Sequence, residues 1–372
     1  MSDKQLRVGI LGTGNISRMH AAGWLAYPER ARITAVADVD GARAQAFSTL
    51  NTGGAAKVYD ATEAVIADPD VDTIDICLPH HLHTDAVISA AKAGKAILCE
   101  KPLCTTMEDA AKIKGELDKA GVPFMSAHNQ LFQPSLIEAR RLMAGGFMGQ
   151  SFFFRSIETF QSRSFNPWGE QAGGPKSWGW RGDLKQSGGG ELLDTGYHAT
   201  YRLLALANDR PVEVTALLSR FFQQQLKTED TAMVLVRFAN GTVGEIITSW
   251  ALNVVDDRHF EVSGELGMLA GGASYLAHQL YGWPQASRRE FAPASSFTAE
   301  IGHFIDVVQT GAPNPATLDH AARALQLIKA AYLSAEEGRT VTLPEDPTQP
   351  ALPRETAAET PYSVKVPAEA IA

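Results

Sequence analysis

Residues 8 to 17 read Val-Gly-Ile-Leu-Gly-Thr-Gly-Asn-Ile-Ser, an apolar run ending in two closely spaced glycines and leading into a helix-favouring stretch. The run predicts a buried strand. The glycines predict a tight turn that lets backbone approach a ligand, and the helix that follows offers unpaired N–H groups and the positive end of its dipole. A pyrophosphate suits that arrangement, so Gly9, Gly12, Gly14, Asn15 and Ile16 read as a dinucleotide-binding turn, with Ser17 where a third glycine would stand. A ligand-free glycine turn is the plainer alternative. Asp38 weighs against it, because it ends the next predicted strand, where a carboxylate accepts hydrogen bonds from ribose hydroxyls. A negative charge there opposes a 2′-phosphate and favours NAD, while nearby Arg43 leaves NADP use open.

Apolar runs at 6–10, 32–38, 73–78 and 96–99 alternate with Ala-rich helical stretches at 17–27, 41–50 and 84–93, the pattern of a parallel sheet covered on both faces. After about residue 150 longer β-rich segments take over: SFFFRSIETF, VEVTALLSRFF, TAMVLVRFA, TVGEIITSWA and HFEVSGE. An Asn-Gly pair at 240–241 marks a hairpin between two of them. Helical spacing returns at 297–337, where Ile301, Phe304, Ile305 and Val308 form a packing stripe. The chain therefore divides into a nucleotide-binding domain at 1–130, a substrate-binding and oligomerisation domain at 131–342, and a Pro-, Ala-, Thr- and Glu-rich arm at 343–372. The helices near 297–337 are placed to pack back between the domains.

With 372 residues, two cores are expected. The net charge of −9 argues against nucleic acid and anionic membrane as partners. Cys77, Cys99 and Cys104 lack metal spacing and fit a reducing compartment. No apolar run reaches the length of a signal peptide or a membrane span, so a cytoplasmic protein is expected.

Three further motifs carry chemistry. LPHHLH at 78–83 ends a strand at the sheet edge where α/β folds bind ligands, which makes Leu78, Pro79, His80 and His83 cofactor-contact candidates. Its histidines point in different directions and complete no ligand set, so no metal is expected. CEKPL at 99–103 closes another strand, and the proline after Lys101 holds that lysine extended beside Glu100, which makes Glu100 and Lys101 further cofactor-contact candidates. In GGGELLDTGYH at 188–198, Asp194 and His198 stand at i and i+4 and share a face if the stretch from Asp194 to Ala207 is helical, as its periodic leucines suggest. A histidine in a leucine-rich helix is otherwise a satisfied core group.

In order and approximate spacing, VGILGTGNIS, AVADVD, LPHHLH, CEKPL and GGGELLDTGYH resemble the Gfo/Idh/MocA family, named for glucose–fructose oxidoreductase and inositol dehydrogenase, from about residue 5 to 340. The resemblance implies an α/β protein with an N-terminal Rossmann domain and a C-terminal α/β domain carrying an open, mostly antiparallel sheet. It also implies a nicotinamide site at their junction and a homodimer or homotetramer joined through the second sheet. Lys101 matches the family's motif lysine, and Asp194 and His198 match its second-domain acid and histidine. The sequence departs at Ser17, at His80 where Asn is frequent, and at Leu131 where many members have Arg.

The expected reaction is NAD(P)-dependent oxidation of a ring hydroxyl of a cyclic sugar, anhydrosugar such as levoglucosan, glucoside or inositol. His198 is assigned as the base and Lys101 as its electrostatic and proton-relay partner, although the motif alone leaves open which group takes the proton first. Asp194 orients a substrate hydroxyl or the imidazole. His128, Arg163, Trp168, Trp180 and Arg181 complete the substrate candidates, because aromatic faces pack on sugar C–H faces while cations bind hydroxyls. Packing alone is the plainer explanation for any single Trp in the segment 158–187. Ketosugar reduction, trans-dihydrodiol oxidation, NAD-dependent glycoside cleavage and a non-catalytic sugar or nucleotide sensor are the alternatives.

Overall fold

The computed structural model of the protein describes residues 5–159, 178–223, 226–252 and 257–353. The chain falls into two compact units. The first holds the chain through Phe132 with Lys185–Gly188 and Ala294–Ala322, and the second holds Gln133–Leu184, Gly189–Pro293 and the chain from Arg323.

In chain order the first unit contains β1 (Leu6–Leu11), α1 (Asn15–Leu25), β2 (Ala31–Ala37), α2 (Gly41–Thr52), β3 (Lys57–Tyr59), α3 (Thr62–Ala67), β4 (Thr73–Ile76), α4 (His83–Lys92), β5 (Ala96–Glu100), α5 (Met107–Ala120) and β6 (Phe124–Ala127). The sheet order is β3-β2-β1-β4-β5-β6, and every pairing is parallel. Strands β4, β5 and β6 are buried along their whole length, as apolar runs covered by helices on both faces require. The chain crosses sides between β1 and β4, and the ends of β1, β2, β4 and β5 bring Gly12, Asp38, Leu78 and Lys101 to one sheet edge.

The second unit begins with α6 (Pro134–Ala144) and β7 (Ser151–Thr159). The short helix α7 (Leu184–Ser187) precedes α8 (Glu191–Asp194) and α9 (Gly196–Ala207). Strands β8 (Pro211–Ser219), β9 (Thr231–Phe238), β10 (Val243–Ser249), β11 (Phe260–Gly264), β12 (Gly267–Gly271), β13 (Tyr275–Leu280) and β14 (Ser287–Glu290) follow. After α10 (Ser296–Thr310) and α11 (Leu318–Glu337), β15 (Val341–Thr342) and β16 (Leu352–Pro353) complete a sheet of order β14-β13-β12-β11-β7-β10-β9-β8-β15-β16. Its pairings are antiparallel except β7 with β10. The expected Asn-Gly turn joins β9 to β10, with Gly241 at φ +87°.

Two segments leave the contiguous division at 131–342. Lys185–Gly188 and Ala294–Ala322 pack with the first unit. The physical reason in the second case is a close helix crossing: a Cβ on Gly23 of α1 would come within 2.4 Å of Ile301 Cδ1 on α10. The rings of Trp24 and Phe304 meet edge-on at 6.1 Å. Of the packing stripe, Ile301, Phe304 and Ile305 are fully buried. The described start of the expected C-terminal arm lies on the second unit, where Arg323 donates to the Pro344 carbonyl and Gln326 to the Asp346 and Gln349 carbonyls. Among the described residues no helix is long and apolar enough to cross a membrane.

Candidate active site

In the first unit the turn after β1 has the build of a nucleotide cradle. Gly12 adopts φ +87°, and a Cβ there would sit 2.5 Å from the Cys77 carbonyl oxygen, so only glycine fits. Gly14, the N-cap of α1, has nothing within 4 Å of the position a Cβ would take, which leaves an open face beside the helix's first N–H groups. Asn15 and Ile16 form the first turn of that helix. Ser17 is buried and donates to the Gly14 carbonyl at 2.7 Å, bracing the turn where a third glycine was expected. Gly9 serves packing, since a Cβ would lie 2.4 Å from Val65.

Asp38 accepts from the Thr13 N–H and hydroxyl, each at 2.8 Å, and from the Arg43 guanidinium at 2.5 and 3.1 Å. Burial works against its charge, but Arg43 and the N–H groups of Asp40 and Thr13 outweigh burial and hold the carboxyl below its ordinary range. The two groups that sequence reading set against each other for cofactor choice are thus ion-paired.

The histidines of LPHHLH diverge. His80 Nδ1 lies 2.9 Å from the Ser187 carbonyl, and His81 is exposed. His83 is fully buried between the carbonyls of Pro102 and Leu78 at 2.7 and 2.9 Å. Its ring braces the two motif loops against each other, and burial lowers its pKa. Leu78 and Pro79 remain half-buried at the sheet edge. His128 is also fully buried, its ring 5.4 Å from that of His320.

Lys101 leaves the end of β5 half-buried, joined to Pro102 by a cis peptide bond. Its backbone N–H donates to Glu100 Oε2 at 3.0 Å. The other oxygen of Glu100 faces His20 Nε2 at 3.0 Å, and His20 Nδ1 faces both oxygens of Asp75 at 2.9 and 3.0 Å. Of this buried set the sequence offered Glu100 as a candidate, while His20 and Asp75 went unrecognised. The signal was present as single polar residues inside apolar elements: His20 in Ala-rich α1, Asp75 in TIDI, and Glu300 beside the stripe of α10.

In the second unit the expected continuous helix is divided at Thr195 into α8 and α9. Asp194 is buried and accepts from Arg181 Nε at 2.6 Å, while the Arg181 guanidinium lies 4.2 Å over the Trp180 ring. His198 is half-buried, with Nδ1 2.7 Å from the Tyr201 hydroxyl. Tyr201, absent from the sequence candidates, holds the imidazole at Nδ1. Trp178 serves packing, stacked on Trp250 at 5.0 Å. Arg163 and Trp168 lie outside the described residues.

The triple glycine has a packing cause. A Cβ on Gly189 would lie 2.5 Å from the Tyr332 hydroxyl, and one on Gly190 would lie 2.4 Å from Glu229 Oε2. Behind the run, Glu229 accepts from the Leu192 N–H and the Tyr332 hydroxyl, each at 2.9 Å. Glu191 accepts from Thr195 at 2.6 Å and from Thr248 at 2.5 Å. Burial raises both carboxyls, Glu191 well above its ordinary value and Glu229 to about 7. A carboxyl raised on folding favours the neutral form, so it destabilises the fold as pH climbs from 4.5 to about 7 and adds nothing further above that. Glu229→Gln is therefore expected to flatten a decline on the order of 3 kcal/mol across that window. Urea unfolding at both ends of the window measures it, and an undiminished decline in the variant would exclude Glu229 as its source.

Sequence comparison places the description "Oxidoreductase family, NAD-binding Rossmann fold" on residues 6–128 and "GFO/IDH/MocA C-terminal domain" on residues 136–270. The chain is 28% identical to 1,5-anhydro-D-fructose reductase of Ensifer adhaerens over 71% of its own length and 75% of that protein's. It is 27% identical to myo-inositol 2-dehydrogenase of Thermotoga maritima, covering 91% of this chain and 99% of the relative. Among solved structures, aldose-aldose oxidoreductase from Caulobacter crescentus matches with a TM-score of 0.79 at 26% identity, covering 91% of this chain and all of that one (100%). With both halves of the pattern matched and the parallel and mostly antiparallel sheets in place, the chain belongs to the Gfo/Idh/MocA family of NAD-binding oxidoreductases.

Proposed function

We propose that the protein is a dehydrogenase that oxidises a ring hydroxyl of a cyclic sugar, anhydrosugar or cyclitol to the ketone. The observation that carries this reading is His198, half-buried and held through Nδ1 by Tyr201, in a chain that also carries the Gly12–Gly14 cradle and Lys101. When bound, NAD supplies the acceptor for hydride. The substrate's C–H pair leaves as hydride, its O–H proton passes to His198 Nε2, and the C=O bond forms. His198 then carries both ring protons, with the Nδ1–H directed at the Tyr201 oxygen. The Lys101 ammonium donates to the same substrate oxygen as negative charge grows on it. Arg181, lying over Trp180 and paired with Asp194, directs that carboxylate toward further substrate hydroxyls. The names of the relatives, two of which act on ring compounds by name, support the polyol class.

A panel of myo-inositol, glucose, levoglucosan and alkyl glucosides, followed by NADH and NADPH formation, tests the assignment. Absence of turnover on every polyol with both cofactors would sink it.

Asp38 sets the cofactor preference in this reading. Asp38→Ala removes the charge opposed to a 2′-phosphate and releases Arg43 to meet one. The ratio of kcat/KM for NADP to that for NAD is expected to rise about tenfold or more, the equivalent of about 1.4 kcal/mol. An unchanged ratio would remove Asp38 from the nucleotide site.

A further inference from the structure

We propose that His20 is a positioning residue for Lys101: it clamps the Glu100 carboxylate that holds the Lys101 backbone, and so ties the nucleotide-binding helix α1 to the strand end that presents the lysine. The proposal rests on the reading of Lys101 as a reacting group given above.

The argument begins with proton counting. Both nitrogens of His20 lie at hydrogen-bond distance from carboxylate oxygens, Nδ1 from Asp75 and Nε2 from Glu100. A neutral imidazole has one N–H and satisfies one such contact; an imidazolium has two and satisfies both. Burial opposes a charge on His20, but Asp75 outweighs it and the group is held protonated well above the ordinary range. The donor atoms of His20, Asp75 and Cys77 are also close enough to one another to suggest a metal. Hydrogen-bonded protons account for the two nitrogens directly.

From β4 comes Asp75, which also accepts from Trp24 Nε1 at 2.7 Å, and just after its end comes Cys77, whose thiol burial pushes up to about 12. From β5 comes Glu100, and from α10 come Glu300 and the ring of Phe297 at 5.7 Å. Neither Glu300 oxygen has a hydrogen-bond partner among the described residues, and burial raises its carboxyl well above its ordinary value, with His20 acting in the opposite direction. The His20 ring therefore stands between the Asp75 and Glu100 carboxylates, with the Glu300 carboxyl also beside it. Such a buried, fully donated pair is costly to break from one side, because the remaining charges keep their burial and lose their partner.

The chain of contacts has a direction. α1 begins at the Gly14 cradle and carries His20 in its second turn; His20 holds Glu100; Glu100 Oε2 receives the Lys101 N–H. Removing the imidazolium frees Glu100 to reorient and releases that N–H.

His20→Gln tests this, since an amide of similar reach cannot donate from both ends. Amide hydrogen exchange is compared at Lys101 and at Ile97, whose N–H donates to the Pro123 carbonyl at 2.8 Å in the same strand. Exchange at Lys101 is expected to rise about tenfold or more while Ile97 changes less than about twofold. In turnover, kcat falls about tenfold or more and KM for NAD stays within about threefold. Unchanged exchange at Lys101, or an equal rise at both amides, overturns the proposal. If His20→Gln does not fold, Glu100→Gln breaks the same link from the other side and must give the same selective rise. Failure of the dehydrogenase reading shows separately, as a wild-type chain with no polyol turnover or a Lys101→Ala variant that retains it. The exchange measurement decides the His20 link in either case.

Discussion

Lys101→Ala is expected to lower kcat on the best polyol by about a hundred- to a thousandfold, the loss that follows removal of one donor to a developing oxyanion. On the proposed reading the loss falls on kcat. β5 is buried along its whole length and Glu100 fixes the Lys101 N–H, so the ammonium is delivered by a rigid strand end and not by a mobile surface arm. Its interaction strengthens as charge grows on the substrate oxygen, so ground-state binding changes less than the barrier. NAD binding, followed by NADH fluorescence, should stay measurable because the glycine cradle lies in the turn between β1 and α1. Lys101→Arg should restore little, since a planar guanidinium does not reproduce a compact ammonium. An alanine variant with wild-type kcat would remove Lys101 from the reaction.

His198→Ala is expected to cost about a hundred- to ten-thousandfold in kcat, the range for a positioned general base. The distinguishing measurement is rescue: free imidazole added to the variant should restore part of the rate, because the lost function is proton acceptance at one atom. Tyr201→Phe bears on the same assignment through orientation. It removes the hydroxyl 2.7 Å from Nδ1 and leaves the edge-on ring contact in place, so it should give a smaller loss than His198→Ala. If the alanine variant keeps its rate, the proton goes elsewhere and Lys101 becomes the base.

Local pattern made much of the fold legible. Apolar runs separated by helical stretches gave β1, β2, β4 and β5 close to their observed bounds, since strands buried on both faces have little choice of composition. The short β3 and β6 were not separable from their surroundings by pattern. Strands β12 to β14 escaped because GMLAG and SRRE carry glycines or charges that local propensity reads as loop. Pairing with a neighbouring strand makes them sheet.

The candidate site divides along the same line. Sequence alone determined the glycine turn, Asp38, the Lys-Pro pair and the acid-to-histidine spacing, because each depends on residues near one another in the chain. Only the tertiary structure decided their partners. Asp38 meets Arg43, Asp194 meets Arg181, His198 meets Tyr201, and Glu100 meets a histidine 80 residues away. It also decided that Gly189 and Gly190 are required by the bulk of Tyr332 and Glu229 behind them. The physical reason is common to all of these: a buried polar group needs a partner, and which residue supplies it, 3 positions along the chain or 80, is fixed by how the backbone folds and the elements pack.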